Sequence, residues 1–196
     1  RHARRQMEAG VDIVVAQGHE AGGHTGRIAN FPLIPQVVDI VAPMPVIAAG
    51  GIGDGRGVAA ALALGAVGAW VGTAFLVAEE CQIPDRHKED ILQGVTEDFA
   101  ISRTYTGKTV RQFRNVVMDA WENSDLEPLP MPLQGALMED LVDAAEQAGR
   151  HDLINSPAGQ IGGMLKESKP AARIMDELVQ GAAEVLQRLR GFVAVT

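Results

Sequence analysis

Apolar and polar positions change their period along this chain, and the changes mark its elements. The largely apolar run Val11-Asp12-Ile13-Val14-Val15-Ala16 is too short for a helix and predicts a buried strand over 11–16. Pro45-Val46-Ile47-Ala48-Ala49, ending in Gly50-Gly51, predicts a second, and Ala69-Trp70-Val71-Gly72, followed by Thr73, a third. Helical patterns lie between them. One covers 3–9 and stops at Gly10, another is a turn around 36–41 reached through Phe31-Pro32-Leu33-Ile34-Pro35, and a third runs over 55–64 with Asp54 as its N-cap and Gly65 as its end. Mostly apolar strands separated by single short helices predict right-handed βαβ units and a parallel sheet. Three such strands neither close a barrel nor cover both of their own edges.

Beyond residue 78 the pattern changes. Residues 79–150 carry helical pieces, a proline-rich connector over 127–132 and few strand signals. Ser156-Pro157 fits the N-cap and first position of a short helix over 158–163. Pro170 opens a last helix whose apolar residues Ile174, Leu178, Ala182, Val185 and Leu189 recur every three or four positions and so form one buried stripe.

Composition narrows the classes. The 196 residues suit one domain, and 46% apolar content is enough for a core. A formal net charge of −8 argues against nucleic acid or an anionic membrane as partner. The single Cys81 excludes an intrachain disulfide and fits a reducing cytoplasm. No apolar run reaches the roughly 18 residues of a membrane-spanning helix. The chain opens on Arg1-His2-Ala3-Arg4-Arg5, inside a helical pattern, which predicts an N-terminal truncation.

The chemistry concentrates at the strand ends. Gln17-Gly18-His19-Glu20-Ala21-Gly22-Gly23-His24 follows the first strand, where parallel α/β proteins bind ligands. Paired glycines let a flat or anionic ligand approach the backbone, and a histidine beside it can move a proton. Gly50-Gly51 and Gly72-Thr73 end the other two strands, and together they predict a phosphate cradle instead of ordinary tight turns. The G-x-G-x-x-G spacing of a dinucleotide fold is absent, and Ser102 stands where a P-loop ending in Gly107-Lys108-Thr109 would need glycine. His24 is the candidate acid/base and His19 a structural residue, while His2, His87 and His151 read as surface. Lys108, Arg111 and Arg114 read either as a clamp for a phosphorylated carrier such as coenzyme A or as a solvated helix start paired with acids. Cys81, after Glu79-Glu80, is a poor nucleophile, and Trp70 and Trp121 read as core.

In order and spacing, Glu20-Ala21-Gly22-Gly23-His24, Ala49-Gly50-Gly51-Ile52 and Val71-Gly72-Thr73 resemble the nitronate monooxygenase family, formerly 2-nitropropane dioxygenases. Weaker matches follow over 107–115 and at Ala158-Gly159-Gln160. The family comprises FMN-dependent barrels, and the flavin-dependent enoyl reductases of fatty-acid synthesis share the architecture. The resemblance implies an α/β fold: the C-terminal part of an FMN-binding (β/α)8 TIM barrel followed by a mostly helical segment. Residues 1–78 would be its last three βα units, 79–155 a helical substrate-side region and 156–196 C-terminal helices packing on the barrel. It further implies that Gly22 and Gly23 lie against the flavin and that Ala49, Gly50, Gly51, Gly72 and Thr73 hold the FMN phosphate. His24 would be the catalytic histidine. Gln160 would either approach the flavin or serve helix packing. The family's earlier strands bring a lysine and an N-terminal segment that have no counterpart in these 196 residues.

Three functions follow as expectations. The first is oxidation of a carbon acid, a nitronate above all, with His24 as acid/base and FMN as electron acceptor. The second is an enoyl reductase or dehydrogenase acting on a CoA- or carrier-bound thioester, with NAD(P)H as reductant. The third is a catalytically incomplete fragment or binding module. Substrate, electron acceptor and oligomeric state stay open at this level.

Overall fold

The computed structural model describes residues 2–192. In chain order the first half holds α1 (His2–Glu8), β1 (Val14–Gln17), β2 (Gly23–His24), α2 (Asn30–Val41), β3 (Val46–Ala49), α3 (Gly55–Ala63), β4 (Gly68–Trp70) and α4 (Thr73–Leu76). The second half holds α5 (Asp85–Gln93), β5 (Phe99–Ser102), β6 (Val110–Phe113), α6 (Val116–Glu122), α7 (Leu133–Gln147) and α8 (Ala171–Arg190), with 3-10 turns at Thr96–Asp98, His151–Leu153 and Gln160–Met164.

β1, β3 and β4 form the expected parallel sheet, in the order β1-β3-β4. The register pairs Gln17 with Ala49 and Ala49 with Trp70, so all three strands end level and their following loops meet at one end. Alternation sends Val14, Ala16, Val46 and Ala48 to one face, where they pack with Ile34, Val37 and Val41 of α2. On the other face Val15 is 40% and Trp70 61% exposed, so Trp70 is not the core residue its type predicts. Parallel sheets are normally covered on both faces; this one is covered on one.

α2 begins well before the expected turn. Pro32 falls in its first turn, where a missing N–H costs nothing, and the buried Asn30, Ile34, Val37 and Val41 repay the longer helix. α3 starts behind Asp54, whose carboxylate accepts the Arg56 and Gly57 N–H groups as expected of an N-cap. α8 buries Ile174, Leu178 and Ala182, whereas Leu189 at the end of the predicted stripe is exposed.

The region 79–155 is not purely helical. β5 and β6 form an antiparallel pair that β2 joins, in the order β2-β6-β5. The strand β6 buries Val110, Arg111 and Gln112 in succession, so no period-two apolar signal marks it. The expected helix over 158–163 tightens to the 3-10 turn at Gln160–Met164.

His87 departs from its surface assignment. It is buried, its Nε2 lies 3.3 Å from the His151 carbonyl, and its ring stands edge-on to that of His151. Burial pulls the His87 pKa down, with the His151 carbonyl and Asp90 opposing. The unfolded chain therefore binds the proton first. Stability is expected to be full above about pH 6.5 and to fall as pH drops below it towards the folded value. The urea midpoint measured against pH checks this, and His87→Phe should flatten the acid limb.

Candidate active site

The loop after β1 is fastened from several sides. Gln17 Nε2 donates to the His24 carbonyl at 2.8 Å, and the Gly18 N–H to the Ala49 carbonyl at 3.0 Å. His19 Nδ1 lies 2.9 Å from the Gly26 carbonyl, which closes the loop on itself and fits the structural role expected of this residue. The Glu20 carboxylate accepts the Asn30 N–H, and the Asn30 side-chain amide donates to the Gly50 carbonyl, tying α2 to the end of β3.

Gly50 and Gly51 adopt φ of +88° and +67°, the left-handed region that disfavours a side chain. A Cβ on Gly50 would also sit 2.8 Å from that of Ala21, and one on Gly51 2.9 Å from that of Glu20. Gly22 is glycine for a related reason: a Cβ there would lie 2.6 Å from the Ala158 backbone. These glycines bring three loops together as well as bordering the open space between them.

That space is a cavity of about 300 Å³ at the level strand ends. Gly22, Gly23, Ala49, Gly50, Gly51, Gly72 and Thr73, all named by the sequence, line it. Trp70, Leu76, Pro157 and Ile161 complete its apolar side. Pro157 and Ile161 escaped the sequence reading because a contact over 86 positions brings them in: the Gly159 N–H donates to Thr73 Oγ1 at 2.9 Å. Thr73 thus accepts from the protein and keeps its own hydroxyl proton to donate.

A Cβ built on Gly23 or on Gly72 would meet no protein atom within 4 Å, so their backbones border open space. With apolar walls beside them, these residues fit a phosphate-bearing flat cofactor such as FMN. No lysine or arginine lines the cavity. An anion there would be held by main chain and hydroxyl. The Arg56 and Gly57 N–H groups in the first turn of α3 are already taken by the Asp54 carboxylate.

His24 stands next to Gly23 on β2, paired with Val110 of β6, and is exposed. Its Nε2 lies 3.3 Å from Thr106 Oγ1, a neighbour the sequence did not reveal. Gln160 is not in the cavity lining; its backbone N–H donates to the Glu20 carbonyl at 3.0 Å.

The cationic clamp does not assemble. Arg111 is 4% exposed, and its guanidinium donates to the His19 carbonyl from Nε and Nη2 and to the Phe99 carbonyl from Nη1. Burial pulls its pKa down, with Glu20 opposing. Arg114 is engaged by Asp119 and Glu122, and Lys108 is exposed. The solvated helix start holds for Arg114 alone, which stands exposed just before α6 and pairs with that helix's Asp119 and Glu122, whereas Arg111 lies within β6. Arg111 instead fixes the loop that precedes His24. Arg111→Met would strand two carbonyls and is expected to cost about 3 kcal/mol in urea unfolding, with Arg111→Lys recovering part of it.

Parallel strands that end level around a glycine-walled cavity are the arrangement found at the ligand-binding end of α/β proteins of the barrel type. The chain belongs to the nitronate monooxygenase family, whose model matches residues 1–181. A Mycobacterium tuberculosis protein named as a monooxygenase is 44% identical over 199 residues, covering 98% of this chain and 53% of its own length. A Staphylococcus aureus protein named as a nitronate monooxygenase is 34% identical over 190 residues, covering 92% and 53%. The chain thus spans about half the length of the curated relatives it matches. FabK from Thermotoga maritima superposes with a TM-score of 0.84 at 34% identity, over 97% of this chain and 60% of that one. A nitroalkane oxidase from Streptomyces ansochromogenes gives 0.84 at 35%, over 95% and 56%. The α/β fold is therefore shared, in part, with the barrels of this group.

Proposed function

We propose that the protein is an FMN-dependent oxidoreductase of the nitronate monooxygenase type. One observation carries this reading: seven predicted cofactor residues from three separate strand ends line one cavity, and His24 directly follows one of them, Gly23, on β2. Ala49, Gly50, Gly51, Gly72 and Thr73 would hold the phosphate, and Gly22 and Gly23 would border the ring system. Bound there, FMN supplies a two-electron acceptor. His24 takes the proton from the carbon next to a nitro group, and the Gly22–Gly23 backbone keeps the substrate-side wall low enough for that carbon to approach. The lone Cys81 is the support for a cytoplasmic setting; among the described residues no helix is long and apolar enough to cross a membrane.

The second reading, reduction of a CoA- or carrier-bound thioester with NAD(P)H, draws support from the equal likeness to FabK. It loses the support of Arg111, which is buried, and of Arg114, which is exposed but engaged by Asp119 and Glu122, leaving Lys108 as the one cation of its proposed clamp that is exposed and without an ion pair among the described residues. Purified intact enzyme should be yellow with flavin, turn over alkyl nitronates aerobically and stay oxidised when mixed anaerobically with NAD(P)H. Rapid bleaching by NAD(P)H with no nitronate turnover would favour the reductase. Absence of flavin would leave only a binding module.

A further inference from the structure

We infer that Thr106 sets the tautomer of His24, so that Nδ1, and not Nε2, is the ring atom that exchanges a proton with substrate. This rests on the reading of His24 as the acid/base. Thr106 lies in the turn between β5 and β6, and its hydroxyl has three neighbours. It donates to the Lys108 carbonyl at 3.1 Å, accepts the Lys108 N–H at 3.3 Å, and lies 3.3 Å from His24 Nε2. A hydroxyl has one proton and two acceptor lone pairs. With the proton on the Lys108 carbonyl and one lone pair on the Lys108 N–H, the remaining lone pair faces the histidine. Nε2 must then be the donor. A neutral imidazole that carries its proton on Nε2 has its free lone pair on Nδ1, and among the described residues Nδ1 makes no hydrogen bond.

The arrangement also serves both protonation states. When a substrate C–H bond breaks, its proton goes to Nδ1 and its electron pair stays with the substrate carbon. The ring becomes an imidazolium whose Nε2–H still points at the same lone pair. Thr106 need not rotate between the two states. A Thr106 that donated to Nε2 would deprive the Lys108 carbonyl of that proton and would have to turn it away each time Nε2 became protonated.

Thr106 is held in place by its neighbours. Tyr105 is buried, and its hydroxyl donates to the Leu153 carbonyl at 2.8 Å. The Gly107 N–H donates to the Arg103 carbonyl at 2.8 Å, and Arg103 Nε donates to the Gly107 carbonyl at 3.1 Å. Thr106 is therefore a positioning residue on a braced turn.

Two-bond 15N–1H spectra of the intact FMN-loaded enzyme, labelled at histidine, read the tautomer directly, with the His24 signals assigned by their loss in His24→Gln. The expected result is an Nε2–H tautomer whose preference falls about fivefold in Thr106→Val, the worth of one ordinary hydrogen bond. kcat should fall by at most about threefold, since a fivefold drop in the ratio lowers the population of a dominant tautomer by no more than that, with KM and flavin content unchanged, and Thr106→Ser should restore both. A dominant Nδ1–H tautomer in the unmodified enzyme overturns the inference without any variant, as does a ratio that Thr106→Val leaves unmoved. Full turnover in His24→Ala would instead remove the acid/base reading beneath it, whatever the tautomer.

Discussion

His24→Ala is expected to keep its flavin and to lose about 10²- to 10⁴-fold in kcat, the usual worth of a positioned general base. The two effects separate because the cavity is walled by glycine backbone and apolar residues, and His24 is not among them. The cradle is built from the loops after β1, β3 and β4 together with Gly23 of β2, whereas the next residue, His24, pairs with Val110 of β6 and is absent from the cavity lining. Its side chain makes one hydrogen bond, to Thr106, and is exposed, so truncation leaves no buried partner without a bond. Flavin absorbance together with turnover of the neutral nitroalkane, whose carbon still bears the proton, measures both halves; turnover of the preformed nitronate, which has no such proton to lose, should fall far less. Retained turnover would reassign the base, and loss of flavin would make His24 a cofactor ligand.

Gly55→Val is expected to lower stability as much as Arg111→Met does, through packing instead of hydrogen bonding. Gly55 opens α3, and a Cβ there would overlap the main chain of Gly181 and Ala182 in α8. Backbone cannot swing aside as a flexible side chain can, so the two helices must separate. That separation would strip cover from Ala182 and, one turn further along α8, from Leu178, both buried. A loss of about 3 kcal/mol is expected, at the upper end of overpacking effects. Urea unfolding measures it. Gly68→Ala serves as the control, because a Cβ on Gly68 meets nothing within 4 Å. A midpoint for Gly55→Val equal to that of the control would mean that α8 does not need its place on α3.

The parallel sheet was legible because its signals are local. Short apolar runs ending in glycine mark each strand end, and Asp54 marks the start of α3 through its own side chain. The cradle was legible for the same reason, since paired glycines and a threonine at strand ends carry their meaning in a few adjacent positions. The antiparallel sheet was not. β6 buries Arg111 and Gln112, two residues whose type predicts exposure, and only distant carbonyls at His19 and Phe99 explain the first. The reading of Lys108, Arg111 and Arg114 as one cluster failed on this point: three cations close in sequence were given one task, and the fold gives them three. Thr106 and Pro157 were silent because what matters about each is a partner far along the chain, at His24 and through Gly159 at Thr73. His87 was misplaced by the opposite error, since a polar neighbourhood in sequence became a buried one once the turn at His151–Leu153 closed over it.

The placing of His24 on a sheet of its own has a consequence for how such a protein can diversify. The proposed cradle rests on three loops locked by main-chain contacts, and an added Cβ on Gly22, Gly50 or Gly51 would collide with a neighbouring loop. The proton-handling edge rides on a separate ribbon, joined to them by residues 18–22 and steadied by the Arg111 guanidinium at the His19 carbonyl. Small displacements of that ribbon would widen or narrow the gap a substrate must enter while moving the cradle only at its Gly23 edge. Selection for a new substrate can therefore act on Thr106, Lys108 and the turn that carries them, and inherit the redox half of the machine intact.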